Sequence, residues 1–469
     1  MKAICLITFL VSTASAQAST NWSDVMDGIF EPAHQKGVYA GSSVVIVEGG
    51  EVVFIKGYGI ADAEGNPFTD HTRSYLGSVS KSFTGLAIVM LATQGMLELD
   101  QPVEKYLPDF RAATDSSGVT IRHLLQHTSG FTRYTGNRNQ TDQDLSQNGL
   151  KRTVDDLANW RLATIPGEYF DYSNANYQVL GRIIEVITGE SFADAMQHMV
   201  FEPLRMNDTQ IHHNFEHPNA ADGFRFWGTA LVSHQEPMGI GLMPQGGVST
   251  TAVDMGRYLI GLMGGDNEIP NVWHPELAQG HNLPDIENYG AGWTVIGDGE
   301  QRLLVHHGLN AGFTAATALQ PHTGKGITVI MNTGDGFLAG DVTLVHNQAL
   351  QSLFPQLPAE PVDFTPRVIQ LVSILSIIVG VLIWVVLARR RGLPTNYFWL
   401  RLILPTAILI FTAYAIGVAL PDLFGIPLNG IGVFFPDVGL LLTLSTGLAL
   451  VWAIVRAAAL ILMRLTDRA

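Results

Sequence analysis

The chain has 469 residues, a formal net charge of −15 and one cysteine, Cys5. The length allows a sizeable core, and the acidic balance argues against nucleic acid and anionic lipid as partners. Because Cys5 lies in a segment that we expect to be removed, the mature chain is predicted to have no disulfide, no thiol nucleophile and no cysteine-ligated metal.

The first sixteen residues have the pattern of a secretory signal peptide. Lys2 precedes an apolar run over residues 3–11, and small residues with the A-x-A cleavage pattern follow, as in Ala14-Ser15-Ala16. An uncleaved anchor is the alternative, but the apolar run is too short to span a bilayer. We therefore predict a signal peptide over residues 1–16 and an extracytoplasmic domain with its linker over residues 17–366.

Two strand-like runs, residues 42–47 and 52–56, flank Gly49-Gly50 and predict a β-hairpin. The next feature is Ser78-Val79-Ser80-Lys81, where Ser78 is expected to open an apolar helix over residues 80–94. Side chains three residues apart share a helix face, and an amine with a lowered pKa can take the proton of a neighbouring hydroxyl. The spacing predicts a serine nucleophile, with chance occurrence as the alternative.

The middle of the domain is predicted to be helical, at residues 121–126, 154–162, 175–188, 192–200 and 250–264, the last with Ser249 as N-cap. Tyr172-Ser173-Asn174 comes just before one of these helices. Tyr172 could act as a general base near Ser78, its phenol pKa lowered by Lys81, and Asn174 could hydrogen-bond a substrate carbonyl. The alternative is a turn with a partly buried ring.

Strand-like runs return late in the domain, at residues 292–295, 303–306, 313–319 and 327–331, before a closing helix at residues 341–354. This order predicts one sheet assembled from both ends of the domain, with a helical lobe between them. His306-His307-Gly308 ends one strand: His306 could bind a carboxylate or hold Tyr172, and Gly308 permits close backbone approach. Surface histidines are the alternative.

A metal site is not predicted, because the histidines that could form one lack the spacing of known ligand motifs. These histidines are His212, His213, His217, His306 and His307.

Residues 367–469 predict a membrane domain. After a proline-rich linker at residues 355–366, three apolar runs are long enough to cross a bilayer: residues 368–387, 402–420 and 438–455. Arginines lie between the first two runs and after the third, whereas the loop at residues 421–437 has no Lys or Arg. The positive-inside rule then makes the C-terminus cytoplasmic. Buried helices of a soluble domain are the alternative.

Taken in this order, Ser78-x-x-Lys81, Tyr172-x-Asn174 and His306-x-Gly308 resemble the active-site motifs of the class C β-lactamase family of serine hydrolases. Similar segments cover most of residues 22–354. The resemblance implies an α/β (α+β) fold, a β-lactamase/transpeptidase-like sheet with flanking helices and an all-helical lobe, here followed by three transmembrane helices. It also implies an oxyanion site formed by the N–H groups of Ser78 and Leu309, and no cofactor.

The family includes D-Ala-D-Ala carboxypeptidases, D-aminopeptidases and esterases, and true class C β-lactamases have Lys-Thr-Gly where this chain has His306-His307-Gly308. Signal peptide, hydrolase domain and three spans together resemble the colibactin-maturing peptidases. Those inner-membrane enzymes remove an N-acyl-D-asparagine cap in the periplasm.

The resemblance implies a serine hydrolase of the bacterial inner membrane with its catalytic domain in the periplasm. It would act through an acyl-enzyme on a small-molecule or peptide substrate, as a peptidase of D-amino-acid-containing or N-acyl-peptide substrates. One alternative is an esterase or weak β-lactamase of the same family. Another is a non-catalytic penicillin-binding-like sensor or transport accessory.

Overall fold

A seven-stranded antiparallel sheet forms the centre of the computed structural model, which describes residues 20–211, 219–235, 238–284, 287–336, 341–358 and 398–466. The predicted signal peptide (residues 1–16) and the first predicted membrane span (residues 368–387) lie outside the described residues. The strands, numbered in chain order, are β1 (Gly41–Glu48), β2 (Glu51–Gly59), β3 (Ser74–Tyr75), β4 (Gln210–Ile211), β5 (Gly223–Trp227), β6 (Ala230–His234), β7 (Val248–Thr250), β8 (Tyr289–Gly290), β9 (Trp293–Ile296), β10 (Leu303–Asn310), β11 (Phe313–Gln320) and β12 (Lys325–Met331).

The strand order of the large sheet is β2-β1-β12-β11-β10-β9-β8, while β3-β7-β4 and β5-β6 form two small sheets. The N-terminal hairpin β1-β2 therefore lies beside β12, which confirms the prediction of one sheet built from both ends of the domain. Side chains of β1 alternate between the two faces: Val44 and Ile46 belong to one core cluster, Val45 and Val47 to the other. Both faces of the sheet are thus covered.

The helices that cover the sheet, form the helical lobe and follow in the C-terminal part are also numbered in chain order. They are α1 (Trp22–Gln35), α2 (Ser80–Thr93), α3 (Ile121–Leu125), α4 (Arg133–Asn137), α5 (Gly149–Asp155), α6 (Asn174–Thr188), α7 (Phe192–Met196), α8 (Met243–Gly246), α9 (Ala252–Leu262), α10 (Val342–Leu353), α11 (Phe398–Tyr414), α12 (Leu420–Leu423), α13 (Leu428–Phe434) and α14 (Pro436–Thr466). Helices α1 and α10 pack on one face of the sheet, and α2 and α9 on the other. Helices α3 to α7 form the lobe between β3 and β4.

Three helix boundaries differ from the sequence prediction. Helix α9 begins at Ala252 with Thr251 as its N-cap, because Ser249 and Thr250 pair with neighbouring strands as part of β7. The helix predicted at residues 154–162 is also displaced: α5 begins at Gly149, with Leu150 on its buried face, ends at Asp155 and is followed by a 3₁₀ turn, Asp156–Asn159. The helix predicted at residues 192–200 ends at Met196 and continues as a wider π-helical turn.

Helix α2 positions the predicted nucleophile, although Ser78 is not part of it. Its residues are almost all buried, including the polar Ser80, Lys81 and Ser82. A tight 3₁₀ turn, Gly77–Val79, comes directly before it and includes Ser78. The turn is permitted by Gly77, whose φ of +54° is unfavourable for residues with a side chain. The prediction that Ser78 opens the α-helix is therefore wrong by two residues, since α2 begins at Ser80.

Two helical stretches in the described part of the chain are long and apolar enough to cross a membrane: Leu402–Leu423 and Pro436–Thr466. Within the most apolar 18 residues of each stretch, only 22% and 17% are buried inside the protein, whereas a core helix would be mostly buried. This observation supports membrane association. The two stretches correspond to the second and third predicted spans, the third being longer than predicted.

Residues 424–435, which we call the connecting segment, join these two apolar helices and lie against the domain formed by residues 20–358. The backbone carbonyl of Gly425 accepts a hydrogen bond from Asn137 Nδ2 at 2.8 Å. Val433 O accepts from an Arg225 guanidinium nitrogen at 2.8 Å, and Asn429 Nδ2 donates to Thr141 Oγ1 at 3.1 Å. The C-terminal helices are thus attached to the domain through polar contacts as well as through the chain.

Candidate active site

Ser78 and Lys81 form a hydrogen-bonded pair at the start of α2. Lys81 Nζ lies 3.0 Å from Ser78 Oγ and donates a hydrogen bond to the carbonyl oxygen of Gln245 at 2.9 Å. Burial of the whole Lys81 side chain lowers its pKa well below the usual value for lysine. A neutral amine has a lone pair, so Lys81 is placed to accept the proton of Ser78.

Tyr172 lies beside this pair, with its ring centroid 5.0 Å from Lys81 Nζ. Burial raises the pKa of the Tyr172 phenol, and a hydrogen bond with Ser78 and the charge of Arg133 oppose this shift only in part. The expectation that this pKa is lowered is therefore wrong, because the effect of burial exceeds that of the neighbouring groups. Tyr172 is a protonated phenol at neutral pH, suited to donating a hydrogen bond or relaying a proton.

His127 packs against the Tyr172 ring, and this role was not predicted from the sequence. Its imidazole is fully buried, and the two ring centroids are 4.4 Å apart. His127 Nδ1 accepts hydrogen bonds from the Ser173 N–H at 3.2 Å and from Asn176 Nδ2 at 2.9 Å. These contacts fix the backbone next to Tyr172.

His306 is buried, and contacts at both ring nitrogens fix the tautomer of its neutral form. Its Nδ1 donates to the carbonyl oxygen of His307 at 2.6 Å, so its Nε2 accepts from the Tyr289 hydroxyl at 2.9 Å. Burial lowers the pKa of His306 to about 3. The side chain thus positions Tyr289, whose ring meets the Tyr172 ring edge-on, and presents no cation to a substrate. Tyr289 was not identified from the sequence.

Gly77 and Gly308 allow β10 to approach the turn that includes Ser78. A Cβ atom on Gly308 would lie 1.9 Å from the carbonyl oxygen of Leu76 and 3.1 Å from the Ser78 nitrogen. A Cβ atom on Gly77 would lie 2.5 Å from the Leu309 nitrogen. Gly308 therefore permits a close approach between β10 and the Gly77–Val79 turn of the same chain. It brings the Ser78 and Leu309 N–H groups, the expected oxyanion donors, to one place.

Asn174 is the first residue of α6 and lies in the same pocket. Its Nδ2 donates to Asn137 Oδ1 at 2.9 Å, whereas its buried Oδ1 has no hydrogen-bond partner in the described part of the structure. The free atom is thus an acceptor. We expected Asn174 to donate to a substrate carbonyl, but this arrangement suits it to accepting from a substrate N–H.

A cavity of about 560 Å³ brings the predicted site residues together. Its lining includes Ser78, Tyr172, Asn174, His306, Gly308 and Leu309, and Lys81 lies behind Ser78. The connecting segment adds an apolar wall formed by Phe424, Ile426, Phe434 and Phe435. Sequence reasoning missed this wall, because these residues belong to the predicted membrane domain.

No group of three or more His, Cys, Asp or Glu side chains among the described residues could hold a metal ion. His212, His213 and His217 lie outside those residues.

Comparisons with known proteins agree with this geometry. The profile of the Beta-lactamase family matches residues 26–350, which is more than half of the chain. "Protein flp" of Staphylococcus aureus (strain COL) is 28% identical over 333 residues, 69% of this chain and 66% of the relative, so the chain spans just under two thirds of that relative's length. A penicillin-binding protein of Bacillus subtilis (strain 168) is 29% identical over 303 residues, 60% of this chain and 64% of the relative.

Two solved structures are similar in fold. The octameric penicillin-binding protein homologue from Pyrococcus abyssi has a TM-score of 0.60 and 26% identity, over 72% of this chain and 78% of that one. EstCE1, described as a hydrolase with promiscuous acyltransferase activity, has a TM-score of 0.61 and 22% identity, over 71% of this chain and 98% of that one. The family match, supported by this fold and site, leads to one conclusion: the chain belongs to the Beta-lactamase family.

Proposed function

We propose that this protein is a membrane-tethered serine hydrolase that cleaves an amide or ester through an acyl-enzyme on Ser78. The observation that carries the proposal is the 3.0 Å contact between Ser78 Oγ and the amine of Lys81, which is buried and has a lowered pKa. A hydroxyl becomes an effective nucleophile when an unprotonated base lies within hydrogen-bonding distance.

In the proposed reaction, Ser78 Oγ attacks the substrate carbonyl carbon while Lys81 takes the hydroxyl proton. The N–H groups of Ser78 and Leu309 stabilise the negative charge on the carbonyl oxygen. The proton then passes from Lys81 to the leaving group, with the Tyr172 hydroxyl as the adjacent relay. A water molecule then attacks the ester of Ser78 while Lys81 takes a proton from it and passes that proton to the departing Ser78 Oγ, which releases the acid product and restores the free enzyme. Asn174 orients the substrate through its free Oδ1.

The substrate class that we propose is a D-amino-acid-containing or N-acyl peptide. Strand β10 pairs with β9 only at residues 303–305, so residues 306–310 have no strand partner on that side among the described strands. This edge lies in the cavity, where an extended peptide could pair with it. Together with the acceptor atom of Asn174, it suits a substrate that has backbone N–H groups.

An esterase of the same family is the second candidate. The apolar wall of the connecting segment favours it, because four apolar side chains can pack against an acyl chain without any peptide contact. A weak β-lactamase is a less suitable candidate, since the uncharged His306 replaces the lysine of Lys-Thr-Gly. A non-catalytic sensor or transport accessory is the rival from another class.

We further propose that the catalytic domain lies on the outer face of the bacterial inner membrane, with a cytoplasmic C-terminus. The arginine distribution along the sequence supports this orientation: Arg456, Arg464 and Arg468 lie at the C-terminal end, and residues 421–437 have no Lys or Arg.

A panel of matched chromogenic substrates tests the proposed function. It comprises N-acyl-D-aminoacyl and N-acyl-L-aminoacyl amides, a short-chain ester and a cephalosporin, assayed with the detergent-solubilised protein and its Ser78→Ala variant. The proposal predicts the highest kcat/KM for the D-aminoacyl amide, and its loss in the variant. A highest kcat/KM for the ester would select the second candidate, and turnover that survives Ser78→Ala would refute serine catalysis.

A further inference from the structure

Arg133 lies in the active-site cavity with a guanidinium group that the proposed reaction does not use. It is the first residue of α4, and its backbone N–H donates to Asp171 Oδ1 at 3.0 Å. The guanidinium carbon lies 5.9 Å from the centroid of the Tyr172 ring. No described residue forms a hydrogen bond or an ion pair with this guanidinium, although the Asp171 carboxylate is close enough to feel its charge. The side chain is exposed to solvent and available to a ligand.

Arg133 is also the sole Arg or Lys among the described residues that line the cavity. Lys81 lies behind Ser78 and His306 is neutral, so neither presents a positive charge to a substrate. Glu287 and Asp335 line the cavity as well. The two acids outnumber the one arginine, so the cavity as a whole does not attract anions. An anionic group would therefore have to bind through direct contact with Arg133.

The connecting segment holds the Arg133 side chain in this position. A Cβ atom on Gly425 would lie 2.8 Å from both Cγ and Cδ of Arg133, so the aliphatic part of the arginine packs directly on the Gly425 backbone. Gly425 has a φ of +67°, and its carbonyl oxygen accepts the hydrogen bond from Asn137. The arginine is thus placed between the Tyr172 ring and a backbone segment that is itself anchored to the catalytic domain.

We propose that Arg133 binds a carboxylate of the substrate and thereby selects substrates with an acidic group near the scissile carbonyl. A guanidinium is charged at every physiological pH and matches the two oxygens of a carboxylate with parallel N–H donors. Because the Tyr172 ring contacts both Arg133 and Lys81, the bound carboxylate lies one aromatic side chain away from the reacting hydroxyl. This inference rests on the proposed function and adds a substrate feature to it.

A binding measurement separates this inference from catalysis. The full-length Ser78→Ala protein in detergent is titrated with N-acetyl-D-alanyl-D-alanine and with the same dipeptide as its C-terminal amide. We expect the carboxylate to bind more tightly, and a further Arg133→Gln substitution to weaken its binding about 10- to 100-fold, the range for a hydrogen bond to a charged group. Arg161→Gln removes the same charge from an exposed residue outside the cavity and is the matched control.

Charge reversal makes the test sharper. In the Arg133→Glu variant, the carboxylate ligand is expected to bind more weakly than the amide. Equal effects of Arg133→Gln and Arg161→Gln, or the same carboxylate preference in Arg133→Glu, would overturn the assignment of Arg133. Neither result depends on turnover, so both can be distinguished from a failure of the proposed serine chemistry, which the substrate panel reports.

Discussion

Gly308 of β10 lies so close to Leu76 that a Cβ atom at position 308 would be 1.9 Å from the Leu76 carbonyl oxygen. This contact joins the central sheet to the turn that includes Ser78. It places the backbone of Leu309 against that of Gly77, so the two expected oxyanion donors come from elements more than 200 residues apart in sequence. The geometry of the site therefore depends on Gly308, although this residue has no side chain that could take part in a reaction.

Substitution of Gly308 by alanine is expected to separate β10 from the Gly77–Val79 turn, which includes Ser78. Loss of one oxyanion donor typically lowers kcat about 10²- to 10³-fold, so we expect a decrease of this order for Gly308→Ala. The measurement is kcat on the preferred substrate of the panel. Gly118→Ala is the control, because a Cβ atom there meets nothing within 4 Å. A Gly308→Ala variant that is folded and fully active would contradict this account of the oxyanion site.

Lys81 is predicted to set the acidic limb of the pH–activity profile. Its pKa is lowered by burial, so the amine is neutral above that pKa and kcat/KM should fall as the pH drops through it. Lys81→Arg replaces the base by a group that stays protonated, and we expect a loss of about 10²- to 10⁴-fold. Profiles of kcat/KM between about pH 4 and pH 9 provide the check. An unchanged acidic limb in Lys81→Arg would exclude Lys81 as the base.

Short-range relationships account for what the sequence predicted at this site. Ser78 and Lys81 are three residues apart, so the helical turn at the start of α2 brings them together, whereas Tyr172 and Asn174 are close simply because they are two residues apart at the start of α6. Tyr289, Asn137 and Gly425 were not predicted, because each acts through a contact between distant parts of the chain. Asn137 and Gly425, for example, are 288 residues apart. No local pattern predicts such a pair.

The same distinction holds for the fold. The β1-β2 hairpin was predicted from two strand-like runs flanking Gly49-Gly50, and helix α2 from its apolar run. The start of α9 was misplaced, because pairing of β7 with β3 and β4 overrides the capping tendency of Ser249. Propensity decides local structure only where no tertiary contact competes for the same backbone.

Asn137 is expected to orient Asn174, since its Oδ1 accepts from Asn174 Nδ2 at 2.9 Å and from the Gln140 amide at 3.0 Å. In Asn137→Ala, the Asn174 amide loses its partner and can rotate. Because a net hydrogen bond is worth roughly 1 kcal/mol, we expect kcat/KM to fall about fivefold. Asn159→Ala, at an exposed position where the amide bonds only Asp156, is the control. Equal kcat/KM values for the two variants would refute the role of Asn137.

The connecting segment is expected to influence ligand selection through Gly425. Gly425→Ala forces the Arg133 side chain to move and strains a backbone with φ of +67°, so the carboxylate preference should decrease by a smaller factor than in Arg133→Gln. The same dipeptide titration measures this change. Gly432→Ala is a control within the segment, because its Cβ meets nothing within 4 Å. If Gly425→Ala leaves the preference intact, the segment does not position Arg133.

Folding stability is predicted to decrease as the pH falls from about 6.5 to 3, because the pKa of His306 is about 3 in the folded protein and about 6.5 in an unfolded chain. Between these values the unfolded state binds more protons, and one such histidine contributes at most about 1.4 kcal/mol per pH unit. Denaturant titrations of the solubilised protein at several pH values measure the slope. His306→Gln should reduce it, with the exposed His322→Gln as control. A slope that His306→Gln leaves unchanged would show that His306 is not the buried neutral group described above.

Covalent labelling of Ser78 tests the central claim most directly. The purified protein and its Ser78→Ala variant are incubated with a fluorescent fluorophosphonate and a fluorescent penicillin, and the modified residue is identified by peptide mass spectrometry. The account predicts that at least one probe labels the wild-type protein at Ser78, and that the folded variant is not labelled. Labelling of Ser78→Ala at the same level, or modification of another residue in the wild-type protein, would contradict it.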